Sequence, residues 1–583
     1  MPTGALAVSA PRIARGSEVR GGGEPLVAMA FAMATPTTRT ARTVAQRTSS
    51  FEVETRRRLL IATSCRFKVA RAHKSVFRVG PRMAAHDAGG AVRGMTRRTV
   101  LRAGAGAAVG TLLPWDSLSG GLDTVLAAAA PIRKPNSLPD PSRPAGEPTA
   151  ALPFDHLIVA MMENHSFDNY LGMLPRRGQR KADGFRFDRH GRPSNRQPLR
   201  GGYVVPLHAT SNCQPVDVSQ AWNATHIQID HGRMDGFART DEGAMLYWDE
   251  KDIPFYYSLA RTFTLGNRWF CSAPCQTFPN RRFLLAATAY GLISTDFNSV
   301  NDPPPANGTI FDRLAAHGIV WKNYFTDLPG TGVIAAIPKK YPQSLAPISQ
   351  FYSDCAAGTL PPVSFVDPEF GAASDVGGPI AGAHIPGVSS GANMGSTQGG
   401  DEENPQDITL GEDFVSRVAT AVLGSPAWMR TLLVWTYDEH GGYFDHVPPP
   451  RAIPPDNIKP KLGPHDIKGG YDIYGPRVPA VVVSPYSKPH ATTNVRHDHT
   501  SILATIEAKW NLPACTYRDA NATTLMDFLN PKKAAFAEPP KLAAPHDIGS
   551  SEQNCSYADP KLKVHHTRKR KKHRSHSHTH GRG

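Results

Sequence analysis

The sequence predicts an α/β protein built on a largely parallel sheet covered on both faces. Three observations carry this. Short, near-continuous apolar runs recur along the chain. Amphipathic segments of helical period separate them, and no internal repeat competes with that alternation. The apolar runs are Phe154–Met161 (FDHLIVAM), Ile319–Phe325 (IVWKNYF), Pro362–Val366 (PVSFV), Leu432–Tyr437 (LLVWTY) and Val478–Ser484 (VPAVVVS), each read as a strand. Phe311–His317, Asp413–Leu423 and Ser501–Trp510 carry the helical pattern. Asp367–Glu412 is glycine-rich without periodicity, and a loop that long inside a domain is expected to serve the active site.

The chain has 583 residues, of which 40% are hydrophobic. That is enough for a sizeable core and excludes a wholly disordered chain. With no apolar run of about 18 residues or more, a polytopic membrane protein is excluded as well. The net charge of +15 is unevenly spread: residues 1–130 carry +12 and residues 561–583 carry +9, so the remainder carries −6. The globular part is mildly acidic, which argues against specific nucleic-acid binding.

Residues 95–130 read as an export signal. Arg97-Arg98 precedes the apolar stretch Ala103–Leu113, and small residues follow at Ala127–Ala130. The arginine pair resembles the twin-arginine type, so export by the twin-arginine translocase to the envelope or beyond is expected. Residues 1–94 read as a leader, either ahead of a true start at Met95 or as a transit-like or disordered arm. Residues 131–150 read as a Pro-rich linker, 151–545 as the catalytic domain, and 546–583 as a C-terminal segment ending in a basic, His-rich tail, disordered by composition. Beyond Cys65 in the leader there are six cysteines, enough for three disulfides in an exported domain. Cys271 and Cys275 are spaced C-x3-C, which favours disulfides or buried thiols over a zinc pair.

Chemistry in such sheets gathers at the carboxyl ends of strands. The first strand runs into Glu163-Asn164-His165-Ser166-Phe167-Asp168, and strand 432–437 runs into Asp438-Glu439-His440-Gly441-Gly442. Glu163, Asn164, Asp438 and Glu439 are oxygen donors, and acids brought together need a hard divalent cation among them. Taken alone, they are more readily unrelated surface groups. Thr277-Phe278-Pro279-Asn280-Arg281 opens an apolar helical segment, with Thr277 as its expected N-cap. A hydroxyl there lies at the positive end of a helix, where phosphate binds and where a nearby cation makes a nucleophile. A plain structural cap is the commoner use of such a threonine.

Together the segments FDHLIVAMMENHSFDNYLGML (154–174), RMDGF (233–237), NRWFCSAPCQTFPNRRF (267–283), WTYDEHGGYFDHVPPP (435–450), GPRVPAVVVSP (475–485) and DHTSIL (498–503) resemble the phosphoesterase family of bacterial phospholipases C, plant non-specific phospholipases C and related acid phosphatases. The resemblance implies an alkaline-phosphatase-like three-layer α/β/α sandwich. It implies one divalent metal ion (calcium, magnesium or manganese before zinc) on Glu163, Asn164, Asp438, Glu439 and Thr277, with Thr277 as nucleophile. Two departures stand out. Gln220 and Asn404 occupy places where relatives often carry a histidine that contacts phosphate or protonates the leaving group; both are expected at the substrate. The general acid then falls to a nearby histidine among His440, His446, His497 and His499, with His440 and His499 foremost because they lie inside matched motifs. The implied substrate is a phospholipid or other phosphate ester, with contact at a membrane surface. A secreted phosphomonoesterase is the alternative, and an inactive relative binding anionic surfaces through its tail is a third reading. Trp248 and Phe255-Tyr256-Tyr257 could meet lipid, although aromatic clusters more often fill a core.

Overall fold

The computed structural model describes residues 132–214, 218–370, 400–404, 406–548 and 561–566. All belong to the unit Leu113–Gly583. The leader, the signal-like segment, most of the glycine-rich stretch and the tail beyond residue 566 lie outside the described residues.

Eight strands form the central sheet: β1 (His156–Met162), β2 (Thr264–Gly266), β3 (Trp321–Phe325), β4 (Leu345–Pro347), β5 (Val363–Asp367), β6 (Thr431–Tyr437), β7 (Ala480–Val483) and β8 (Thr492–Thr493). Their spatial order is β8-β2-β7-β6-β1-β5-β3-β4. β1 lies at the centre, parallel to β6 on one side and to β5 on the other. β7 runs antiparallel to both of its neighbours, so the sheet is mostly rather than wholly parallel. Every residue of β1, β5, β6 and β7 is buried, so both faces are covered, as the near-continuous apolar runs require.

Helices among the described residues include α1 (Trp222–Ile229), α2 (Thr277–Ala286), α3 (Ile310–Ala316), α4 (Ile408–Leu423) and α5 (Thr500–Trp510). The last three lie on the expected helical segments. The parallel register pairs Met162 of β1 with Tyr437 of β6, so both strands end at the same level. Their continuations, Glu163-Asn164 and Asp438-Glu439, therefore emerge side by side at one sheet edge, where the Asp438 N–H donates to the Met162 carbonyl at 3.0 Å.

Several expectations need correction. The 132–150 segment is tied to the domain. Asn511, in left-handed conformation at the end of α5, donates to the carbonyls of Asp140, Arg143 and Pro144, and the Thr149 N–H donates to Lys509 O. Residues 561–566 also belong to the fold, because His565–His566 pairs with Gly202–Val204 in a small antiparallel sheet. Cys271, Cys275, Cys355 and Cys515 are buried free thiols, so the six cysteines do not form three disulfides; Cys213 is disulfide-bonded. Cys271 instead turns its Sγ toward the Ala273 carbonyl at 3.6 Å. Trp248, Phe255, Tyr256 and Tyr257 are core residues and offer no face to lipid. No helix of the described residues is long and apolar enough to cross a membrane.

Candidate active site

The oxygen donors converge. Thr277 is buried and its Oγ1 donates to Asn164 Oδ1 at 3.4 Å. The Asn164 carboxamide faces Asp438 Oδ1 at 2.8 Å and Glu439 Oε1 at 3.1 Å. With its oxygen turned to the acids, three oxygens meet with no proton between them. With its nitrogen there, Asn164 donates to both. The first orientation is the one a cation on these oxygens would select. Asp438 Oδ2 is buried without a hydrogen bond, with Arg281 Nε at 3.6 Å. Glu163 stands beside this set rather than inside it, because Arg281 Nε holds its Oε1 at 2.9 Å.

Local backbone explains the approach. Gly441 and Gly442 both have positive φ, and a Cβ on Gly441 would come within 1.8 Å of the Asn164 carbonyl oxygen. Only glycine lets the acid-bearing turn lie against the Glu-Asn turn. At α2, Gln276 is the N-cap and Thr277 the first helical residue, so the threonine does not spend its hydroxyl on capping. Asn280 does the organising work, taking the Ala273 N–H on Oδ1 at 3.0 Å and donating to Cys275 O at 2.7 Å. The first-turn N–H groups of Thr277 and Phe278 have no carbonyl of their own helix to meet, which leaves them for an anion.

The electrostatics point the same way. Burial, and repulsion from Glu163, push the Asp438 carboxyl well above the usual range. Burial does the same to Glu439, and it raises Glu163 against the opposing Arg281 guanidinium. Buried carboxyls facing one another in this way are what a hard divalent cation would hold ionised; the donor set is all oxygen, which fits calcium, magnesium or manganese.

His440 and His499 both reach the site, in roles the sequence did not foresee. His499 Nε2 lies 2.6 Å from the Asp438 carbonyl, which only accepts, so Nε2 carries the proton. His440 Nε2 lies 2.8 Å from Gln228 Oε1, whose amide nitrogen already donates to Ser219 O, and its other ring nitrogen also faces an acceptor. Burial lowers His440 to about 3 and His499 to about 4. Burial keeps both rings neutral at pH 7; His440 Nδ1 faces Glu439 Oε2 at 3.1 Å, whereas His499 Nδ1 is buried without a hydrogen-bond partner. His499 therefore offers a proton acceptor at Nδ1, while His440 is held between Gln228 and Glu439. His446 and His497 lie elsewhere, bound to Asp168 and Asp527. Gln220 precedes α1, where its carbonyl accepts from Thr225 Oγ1, and the adjacent Ser219 carbonyl crowds Gly442. Asn404 is half-buried and directly follows Glu403.

Sequence reasoning missed Arg281, Asp401 and Glu403. Arg281 lies one helical turn after Thr277, on the same face, and that spacing was a usable signal. Asp401 and Glu403 fall in the stretch read only as loop; carboxylate oxygens of Glu163, Asp401 and Glu403 lie within 4.8 Å of one another.

With this geometry in place, comparison with known proteins is decisive. The Phosphoesterase family matches residues 154–513, well over half of the chain. The chain belongs to the Phosphoesterase family. It is a phosphoric ester hydrolase. Among curated relatives, it is 28% identical over 408 residues to non-specific phospholipase C1 of Arabidopsis thaliana, covering 64% of this chain and 70% of that one. It is 27% identical over 445 residues to phospholipase C A of Mycobacterium tuberculosis, covering 67% and 79%. It is 28% identical over 464 residues to the non-hemolytic phospholipase C of Pseudomonas aeruginosa, covering 68% and 60%. Among solved structures, an alkaline phosphatase superfamily protein from Vibrio parahaemolyticus aligns over 60% of this chain and 77% of that one, with 9% identity and a TM-score of 0.28.

Proposed function

We propose that this hydrolase cleaves phospholipids in the phospholipase C manner, with Thr277 as nucleophile and one divalent cation held by Asn164, Thr277, Asp438 and Glu439, with Glu163 alongside. The observation that carries the reading is the Thr277 hydroxyl, at the amino end of α2, meeting the Asn164 carboxamide that itself faces the Asp438 and Glu439 oxygens. The relatives named phospholipase C support the substrate class. When bound, the cation would supply the charge that keeps the acids ionised and favours the Thr277 alkoxide.

The residues do the rest. The Thr277 and Phe278 N–H groups receive a phosphate oxygen. Thr277 Oγ1 attacks phosphorus in line; an Oγ–P bond forms and the bond from phosphorus to the glycerol oxygen breaks. The threonine proton passes through His499 Nδ1 to the departing diacylglycerol, with His440 holding Glu439. A water then attacks phosphorus, the Oγ–P bond breaks, and a water proton returns to Thr277. The phosphorylated head group leaves. Gln220 and Asn404 serve the substrate phosphate at the rim. The Arg97-Arg98 segment supports export by the twin-arginine route as part of this proposal.

The test uses purified protein on phosphatidylcholine vesicles and on a soluble phosphomonoester, with and without chelator. Diacylglycerol release that chelator abolishes is expected. Hydrolysis of the monoester alone would replace the lipase reading with a phosphomonoesterase one.

A further inference from the structure

The loop that precedes α4 presents two acids to the site and buries a third behind it. Glu402 is fully buried at φ +76°, with Oε1 accepting from the Tyr256 hydroxyl at 2.8 Å and Oε2 accepting from Tyr437. A Cβ on Gly411 would come within 2.2 Å of Glu402 Cγ, so glycine is needed for this anchor to fit. With Glu402 turned inward, its neighbours face Glu163. The Asp401 carbonyl accepts the Glu163 N–H at 2.9 Å, and Asp401 Oδ1 accepts the Glu403 N–H at 2.9 Å.

Two observations then point to a ligand. Carboxylate oxygens of Glu163, Asp401 and Glu403 lie within 4.8 Å of one another. Asp401 is only 1% exposed, and its Oδ2 has no hydrogen-bond partner. An orphaned, buried carboxylate oxygen among other carboxylates is costly unless a cation meets it.

Charge counting strengthens the case. Glu163, Asp401, Glu403, Asp438 and Glu439 bring five negative charges when ionised. Arg281 and one divalent ion would return three. Asp367 adds a sixth acid, although Asn323 Nδ2 and the Gly330 N–H occupy it. The segment 371–399 contains neither lysine nor arginine, so its sequence brings no fixed cation. One divalent ion therefore leaves a deficit of at least two charges in a buried place.

We propose that Glu163, Asp401 and Glu403 form a second site for a hard divalent cation, next to the site on Asn164, Asp438 and Glu439. The ligands are all carboxylate, so calcium, magnesium or manganese is the fitting class. The second ion meets the orphaned Asp401 oxygen and closes the charge deficit. This inference rests on the divalent-ion reading of the first site.

The experiment is a count of bound metal by equilibrium dialysis against manganese or calcium, followed by elemental analysis of the purified protein. Two ions per chain are expected for the wild type. Asp401→Asn with Glu403→Gln should bind one, and Asp438→Asn with Glu439→Gln should also keep one, at the other site. Because Asp401 is buried, Glu403→Gln alone is measured as well; it should fold normally by thermal melting and hold its second ion at least about tenfold more weakly. A single ion in the wild type that survives Asp401→Asn with Glu403→Gln would overturn the second site and leave the first standing. No ion in the wild type would overturn both.

Discussion

Two acid-rich clusters in this molecule are cut from the same motifs and behave as opposites. Asp168 closes the Glu-Asn motif, and Asp445 and His446 close the Asp-Glu motif. There Arg477 binds Asp445 Oδ1 at 2.7 Å and Asp168 Oδ1 at 3.3 Å, while its guanidinium lies 4.2 Å over the Phe167 ring. Asp168 Oδ2 accepts from the His446 N–H at 2.9 Å and lies 2.6 Å from its Nδ1. Donors meet both Asp168 oxygens. At the other end of the same motifs, the Asn164 carboxamide faces Asp438 Oδ1 and Glu439 Oε1, and Asp438 Oδ2 has no hydrogen-bond donor. The first cluster is a finished ion network that fastens three segments; the second leaves Asp438 Oδ2 buried without a donor whichever way the Asn164 carboxamide is turned, and a cation would complete it. Acid content alone does not mark a site, and the balance of donors against acceptors does.

This contrast can be broken or sharpened by substitution. The largest effect expected is on turnover. Asp438→Asn should lower kcat/KM by about 10³-fold or more while leaving the fold intact, since it removes one donor from the open cluster. A rate within tenfold of wild type would remove Asp438 from the site. Next, Arg477→Met should destabilise the protein by about 3–5 kcal/mol, because it strands Asp168 and Asp445 as buried, unpaired charges. Chemical denaturation measures this, and a loss below about 1 kcal/mol would make the network ornamental.

A pH-dependent effect follows. Burial disfavours the charged His446 ring, but Asp168 and Asp183 outweigh it and raise the group from 6.5 to about 9. A raised folded value means the stabilisation is complete below about pH 6.5 and fades as pH rises through about 9. Its ceiling is about 3 kcal/mol. His446→Gln should therefore be less stable than wild type at pH 6, and the gap should close by about pH 10. The smallest effect has the opposite sign. In chelator, Asp438→Asn should gain stability at pH 7, because a buried acid held above its usual range by burial and by Glu163 costs stability there. A loss in chelator would mean the open cluster is balanced after all.

The sequence made the central sheet legible because its strands are buried on both faces and carry almost unbroken apolar runs. It did not reveal that β7 runs against its neighbours, since an apolar run has no direction. Nor did it reveal β2, β4 and β8, which have two or three residues and no run to read. At the site, Asn164, Asp438 and Glu439 were visible because strand ends are where side chains escape the sheet. Arg281 was within reach from its one-turn spacing after Thr277. Asp401 and Glu403 were not, because their position depends on Glu402 reaching two distant tyrosines. The histidines were visible as residues only; their orientation depends on the Asp438 carbonyl at His499 and on Gln228 and Glu439 at His440.

The most direct measurement is an acid quench during turnover, followed by peptide mapping of residues 277–281 by mass spectrometry. The account predicts a phosphoryl group on Thr277 that is absent without substrate and absent in Thr277→Ala, a variant that folds but does not turn over. Thr277→Ala cleaving substrate at the wild-type rate would contradict it, as would full turnover with the phosphoryl group trapped on another residue.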